Sequence, residues 1–182
     1  YPASYPTVLS VAGTMENDLK SNTSSFGFQV TVCAPSSSPG LTLNDGDFTP
    51  SYATSWASPL VAGMAAVLRS QRPQYNYRQI KEQIRRTADP VNVMNPNHTE
   101  QLGFGRVNYL RMLQENPQSI RIDTLFWADS DQNQVAETGD TISIFVVFRN
   151  ILEPVTNANI WVSNIGWQGY FIDSTWNIGN FC

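Results

Sequence analysis

A chain of 182 residues has room for one medium domain, or for a small domain and a piece of another. Hydrophobic residues make up 41% and charged residues only 14%, which suits a packed core and excludes a disordered, charge-rich tail. The formal net charge is −4 with no basic stripe, which argues against a nucleic-acid partner, and the longest apolar run, around residues 58–68, is too short to span a bilayer.

In chain order, the two Tyr-Pro pairs of residues 1–6 read as a turn-rich entry, and the apolar run through Gly13 as a buried strand. Residues 14–25 are polar and read as a surface loop. Residues 28–34 read as a second strand closed by Pro35, with Cys33 as a small buried hydrophobe. Residues 36–50 are dense in Ser, Pro, Gly, Asn and Asp and read as a loop or loose hairpin. From Thr54 to Leu68 small and apolar residues run without a polar face, so the pattern predicts a helix buried all round. Next comes a surface helix with Asn76 as N-cap. Tyr77, Ile80 and Ile84 form its stripe, and Lys81, Glu82, Arg85 and Arg86 lie off it. Residues 89–101 read as a loop. A glycine turn at 103–108 leads into a short helix near 109–113. After Pro117 the helical period gives way to alternation. Strands are expected at 141–148, 160–162 and 170–172, at a spacing that suits a sandwich. A boundary falls near residue 117. The chain has no initiating Met and no signal segment, and both ends read as cut. A bridge between Cys33 and Cys182 is disfavoured, because the two lie in different predicted domains.

The segment richest in chemistry is Ala53-Thr54-Ser55-Trp56-Ala57-Ser58-Pro59-Leu60-Val61-Ala62-Gly63. A serine at the start of a buried helix sits where unpaired amides and the helix dipole favour developing negative charge. On these residues alone two readings stand: Ser55 is a nucleophile, or Thr54-Ser55 is an ordinary helix start. A nucleophilic serine needs a base. The one histidine, His98, lies in the Asn-Pro-rich loop and reads as solvent-exposed.

This segment resembles the nucleophile motif of the subtilisin family of serine proteases, Gly-Thr-Ser-Met-Ala-Ser-Pro-His-Val-Ala-Gly, at eight of eleven positions. Four further stretches resemble family motifs in the same order. They are Tyr1-Pro2-Ala3 through Gly13, Ser24-x-x-Gly27 with Ala34-Pro35, the helix at 73–88 ending in Thr87-Ala88, and Gly103-x-Gly105-x-Val107-Asn108. The resemblance implies an α/β fold: the C-terminal portion of a subtilisin-like parallel-sheet domain over 1–117. It implies that Ser55 attacks the peptide carbonyl, and that the Ser55 amide, with help from Thr54, lines the oxyanion site. The family's aspartate, histidine and oxyanion asparagine belong upstream of the matched motifs, so the chain alone is expected to be inactive. The expected partner is a protein or peptide substrate, the expected location is extracellular, and oligomeric state is left open.

The match has departures. Ala53 replaces glycine, Trp56 methionine, Leu60 histidine, and Ser36 the glycine after Ala34-Pro35. A Cβ at position 53 is expected to perturb the turn. No cofactor is implied. A structural calcium or monovalent cation is an alternative at two places: the carbonyls of Ala3, Tyr5 and Val8, which match a cation loop of some relatives, and the Asp129, Asp131, Asn133 spacing, which departs from a calcium loop at Gln134 and Asp140.

Residues 118–182 resemble the β-sandwich modules appended to secreted subtilases and are expected to form a partial antiparallel sandwich of the immunoglobulin or fibronectin kind. Trp161, Trp167, Tyr170 and Trp176 are expected in its core. The competing functional readings are a non-catalytic relative and an adhesion module that uses this sandwich.

Overall fold

The structure, a computed structural model, describes residues 2–42, 48–131, 133–161 and 175–181. The chain divides into two compact units, Tyr1–Pro117 and Gln118–Cys182.

In the first unit, β1 (Val11–Thr14) and β2 (Val32–Pro35) pair in parallel, Val11 opposite Val32 and Thr14 opposite Pro35. Both strands are shorter than the apolar runs that predict them. β3 (Ser37–Thr42) and β4 (Phe48–Tyr52) form an antiparallel pair where the composition suggests a loop or loose hairpin. α1 (Thr54–Gln71) packs on the β1–β2 pair. It buries Ala57, Val61, Met64 and Leu68, a stripe at helical spacing, against Val32 and Ala34. Ser58, Leu60, Ala62, Gly63 and Ala66 are exposed. The all-round burial expected of α1 is therefore not found. An apolar pattern without a polar face does not say which side is covered, and here the strand pair lies on one side.

α2 (Tyr77–Arg86) starts as its cap predicts. Asn76 Oδ1 accepts from the amides of Arg78 and Gln79 at 2.9 and 3.1 Å, and Gln79 Oε1 accepts the Asn76 amide at 3.0 Å. This reciprocal pair satisfies N–H groups that a helix end otherwise leaves orphaned. The expected surface helix is more buried than its pattern suggests. Gln83 is fully buried and its Nε2 donates to the carbonyls of Met112 and Glu115 at 2.9 and 2.7 Å. Glu82 and Arg85 are buried as an ion pair, with the Arg85 guanidinium 3.8 Å from the centre of the Phe104 ring. Pairing and the aromatic face offset the desolvation of both charges.

The turn before α3 (Tyr109–Gln114) is set by two glycines. Gly103 and Gly105 have φ of +70° and +126°, and a Cβ would lie 2.4 Å from Thr31 backbone and 1.9 Å from the Asp89 carbonyl oxygen. Only glycine fits this conformation and approach. The turn lets Gly105 O accept from the Cys33 amide, and Val107 N–H donate to Cys33 O, both at 2.8 Å, so residues 105–107 extend the sheet beside β2.

In the second unit, β5 (Ile120–Ala128) pairs antiparallel with β6 (Ser143–Asn150), with a bulge between Ile122 and Thr124. β7 (Val155–Trp161) pairs antiparallel with β8 (Thr175–Phe181). β8 has no counterpart among the predicted strands. The strand expected at 170–172 lies outside the described residues, as do Trp167 and Tyr170. The described residues form two separate antiparallel pairs. Leu125, Phe126, Trp127, Ile144 and Phe145 are exposed, so these pairs do not by themselves show a sandwich core.

Candidate active site

Ser55 is the second residue of α1 and is exposed, while Thr54 is half-buried. The backbone just before it is tied to both core strands. The Ala53 amide donates to Ser36 O at 3.0 Å, and the Ser36 amide and Oγ both donate to Thr14 O at 2.9 Å. Ser36 is fully buried between them, and a Cβ on Gly13 would come within 2.7 Å of its Cβ. The small Gly13 thus admits the serine that replaces a family glycine. Behind Ser55, the buried stripe of α1 holds the helix on the sheet. The result is an exposed serine on a helix that the core holds in place, an arrangement that suits a nucleophile.

The first turn of α1 is electrostatically suited to an anion. Ala53 caps the helix without a side-chain acceptor, and no acidic residue occupies the first turn. The Trp56 amide is used by Ala53 O at 3.0 Å. The amides of Thr54 and Ser55 precede any intrahelical acceptor, so they face the N-terminal end with the positive end of the helix dipole. Pro59 removes the N–H that would bond the Ser55 carbonyl. Ala53 itself has φ −156° and ψ 149°, extended backbone that any residue adopts, so its Cβ brings no backbone strain to the turn.

His98 is half-buried rather than exposed. Its ring packs 4.4 Å from the Phe26 ring, and Nδ1 is buried without a hydrogen-bond partner among the described residues. It lines a shallow cavity of about 310 Å³ with Lys20, Asn22 and Asn95. Ser55 neither lines that cavity nor is the ring partner of His98. Cys33, the other nucleophile type in the unit, is a free thiol with no exposed surface. Burial, reinforced by the nearby Asp18 carboxylate, pushes its pKa up to about 12, so it stays a protonated core group.

Residues 1–106 match the family profile described as the subtilase family of peptidases, which covers more than half of the chain and spans Ser55 and the strands that hold it. The chain belongs to the subtilase family. Over 88 residues it is 34% identical both to the thermostable alkaline protease of Halalkalibacterium halodurans and to subtilisin E of Bacillus subtilis. Those matches cover 48% of this chain and 24% and 23% of the two relatives, so this subtilase chain spans about a quarter of their length. The solved structure of MycP1 from Mycobacterium smegmatis is similar with a TM-score of 0.52 at 25% identity, over 62% of this chain and 31% of that one.

Two features of this subtilase unit escape a motif reading. The Gly13–Ser36 contact joins residues whose neighbourhood appears only once β1 and β2 pair. Lys81, which the helical pattern places off the stripe, sends Nζ to the carbonyls of Pro6 and Val8 at 2.8 and 2.7 Å. In the second unit, Asp129 is buried with Oδ2 unpartnered among the described residues, while Asp131 Oδ2 accepts from Asn133 Nδ2 at 2.7 Å. Among the described residues, no group of three or more His, Cys, Asp or Glu converges as a metal site. No helix among them is long and apolar enough to cross a membrane.

Proposed function

We propose that the chain is the nucleophile-bearing part of a secreted serine endopeptidase, with Ser55 forming the acyl-enzyme and the Ser55 amide, assisted by Thr54, binding the oxyanion. The observation that carries this reading is the exposed Ser55 at an uncapped, acid-free helix start inside the family's nucleophile motif. In this mechanism Ser55 Oγ attacks the substrate carbonyl as a base takes its proton. The oxygen of the tetrahedral intermediate takes up negative charge against the free amides of the first turn. The leaving amine is then protonated, and water hydrolyses the ester on Ser55.

The base is not supplied by this chain. His98 is its one histidine, and its ring is committed to Phe26. The histidine, the aspartate and an oxyanion asparagine then come from polypeptide outside the 182 residues, and the chain alone does not hydrolyse peptides. The second unit is read as part of an accessory β-sandwich, supported by its two antiparallel pairs. Secretion rests on family habit and is compatible with the low charge content.

Labelling with a fluorophosphonate probe tests this reading. The full-length gene product is expected to label on Ser55 and to lose at least 99% of the label and of its peptidase activity in Ser55→Ala. The isolated 182-residue chain is expected to label no faster than that variant. A full-length product that cleaves casein equally well with Ser55→Ala overturns the assignment.

A further inference from the structure

We propose that Lys81 is a built-in cation for the loop of residues 2–8, its ammonium standing where a metal ion would otherwise hold that loop. The proposal does not depend on the catalytic reading of Ser55. The carbonyl oxygens of Pro6 and Val8 converge on a single atom, Lys81 Nζ, at 2.8 and 2.7 Å, across 75 and 73 residues of sequence. Oxygens that converge in this way without an N–H between them form a locus of negative potential, and the group that fills it must carry positive charge or several donors. An ammonium does both: it is a compact charge with three N–H groups and no acceptor.

The loop's other backbone groups do not compete for this role. The Tyr5 amide donates to Pro2 O at 3.1 Å and the Val8 amide to Tyr5 O at 2.9 Å, so two successive turns close the loop and aim the Pro6 and Val8 carbonyls at α2. Residues 2 and 6 are prolines, which have no N–H to offer and fix φ for such turns. On the other side, α2 is held in register by its Asn76–Gln79 cap and by buried Ile80 and Ile84. Lys81 therefore leaves the helix at a defined height on its half-buried rim.

The arrangement does not fit a metal ion at the carbonyls of Ala3, Tyr5 and Val8. Val8 O already accepts from Nζ and Tyr5 O from the Val8 amide. A calcium ion takes six to eight oxygens, and any cation on the Val8 oxygen would sit against the ammonium and be repelled. Lys81 is thus a positioning residue. It ties α2 to the segment that enters β1 at Val11, the strand against which the Ser55 helix packs, and it does so without an ion to be lost to a chelator.

The test is amide hydrogen exchange at Tyr5 and Val8 in the full chain, in choline, potassium and calcium chlorides at equal ionic strength. In the wild type, exchange at these amides is expected to be the same in all three salts. In Lys81→Ala, a substitution that favours the helix, it is expected to rise about tenfold in choline and to fall back toward the wild-type rate in potassium or calcium, as a free ion enters the vacated place. Lys81→Arg, which keeps the charge and the donors, is expected to retain protection in choline. Three results overturn the proposal: wild-type amides that gain protection with potassium or calcium, Lys81→Ala amides that exchange at the wild-type rate, or Lys81→Ala amides that exchange faster and do not respond to either ion.

Discussion

The two units put their apolar sequence to different ends. In the first, Val32, Val61, Leu68, Ile84, Leu102 and Met112 are all at or below 2% exposure, because strands, helices and a glycine turn each cover one side of the others. In the second, Ile122, Leu125, Phe126, Ile144 and Phe145 each expose 47% or more, although β5 and β6 are well paired. A two-stranded ribbon satisfies its backbone but leaves its side chains without a second layer. Backbone pairing and core formation are separate achievements, and only the first unit shows both among the described residues.

The sharpest way to separate the units is a matched pair of glycine substitutions. Gly105→Ala places a Cβ 1.9 Å from the Asp89 carbonyl oxygen at φ +126°. It is expected to cost more than about 4 kcal/mol and to remove the first unit's thermal transition. Gly139→Ala meets nothing within 4 Å and keeps only the strain of φ +105°, an expected cost of about 1 kcal/mol. Thermal melts followed by circular dichroism read both. Equal losses would mean that the glycine turn is not the keystone of the first unit.

A core pair gives the next largest contrast. Leu68→Ala empties a fully buried site between α1 and the sheet and is expected to cost about 3 kcal/mol in urea unfolding of its unit. Ile144→Ala trims a side chain that is 53% exposed and is expected to change its unit's stability by about 0.5 kcal/mol at most. A cost near that of Leu68→Ala would show that Ile144 is covered in solution, and would supply the second layer that a sandwich requires.

What could be read from sequence followed the range of the forces involved. α2 and its Asn76 cap were legible because capping acts over three residues, and the Gly103-x-Gly105 turn because only glycine takes those dihedrals. The motif around Ser55 was legible as a resemblance, whereas its physics alone favoured an ordinary helix start. The exposed side of α1 was hidden, because an apolar run carries no mark of the side that its partners cover. β8 was hidden because Asn177, Gly179 and Asn180 interrupt any alternation. The Lys81 clamp and the pairing of Arg106 with Asp18, 88 residues apart, depend on contacts that no local pattern encodes. Around the candidate site the motif that carries Ser55 was therefore legible and its supports were not. Gly13 acts by lacking a Cβ, and Ser36 and Lys81 act through backbone carbonyls, which the sequence does not distinguish.

The smallest contrast is electrostatic and shows in acid. Asp89 joins three donors: Arg111 Nη1 and Asn108 Nδ2 at 2.9 Å, and Arg106 Nη2 at 3.2 Å. Arg106 also bonds Asp18 at 2.8 Å, and Arg111 bonds Glu115 at 2.7 Å. Burial works against the charged Asp89 carboxylate, but hydrogen bonds from Asn108, Arg111 and Arg106 together outweigh it and hold the pKa below the usual carboxylate value. A depressed folded-state pKa means that the unfolded chain binds a proton first. The stabilisation is therefore complete above the unfolded carboxylate value of about 4 and is lost as pH falls through the folded value. Asp89→Asn is expected to cost about 1 kcal/mol at pH 7, below the usual range for charged hydrogen bonds because the side chain is 30% exposed. It is also expected to flatten the acid limb of the urea midpoint of the first unit below the unfolded carboxylate value of about 4. The counterpart in the second unit is Arg149 with Asp123 at 2.5 Å, where the arginine is 53% exposed, and Asp123→Asn is expected to shift that unit's midpoint less than Asp89→Asn shifts the first unit's. If the acid limb stays steep in Asp89→Asn, other carboxylates carry the acid sensitivity, and Asp18 on the far side of Arg106 is the next to replace.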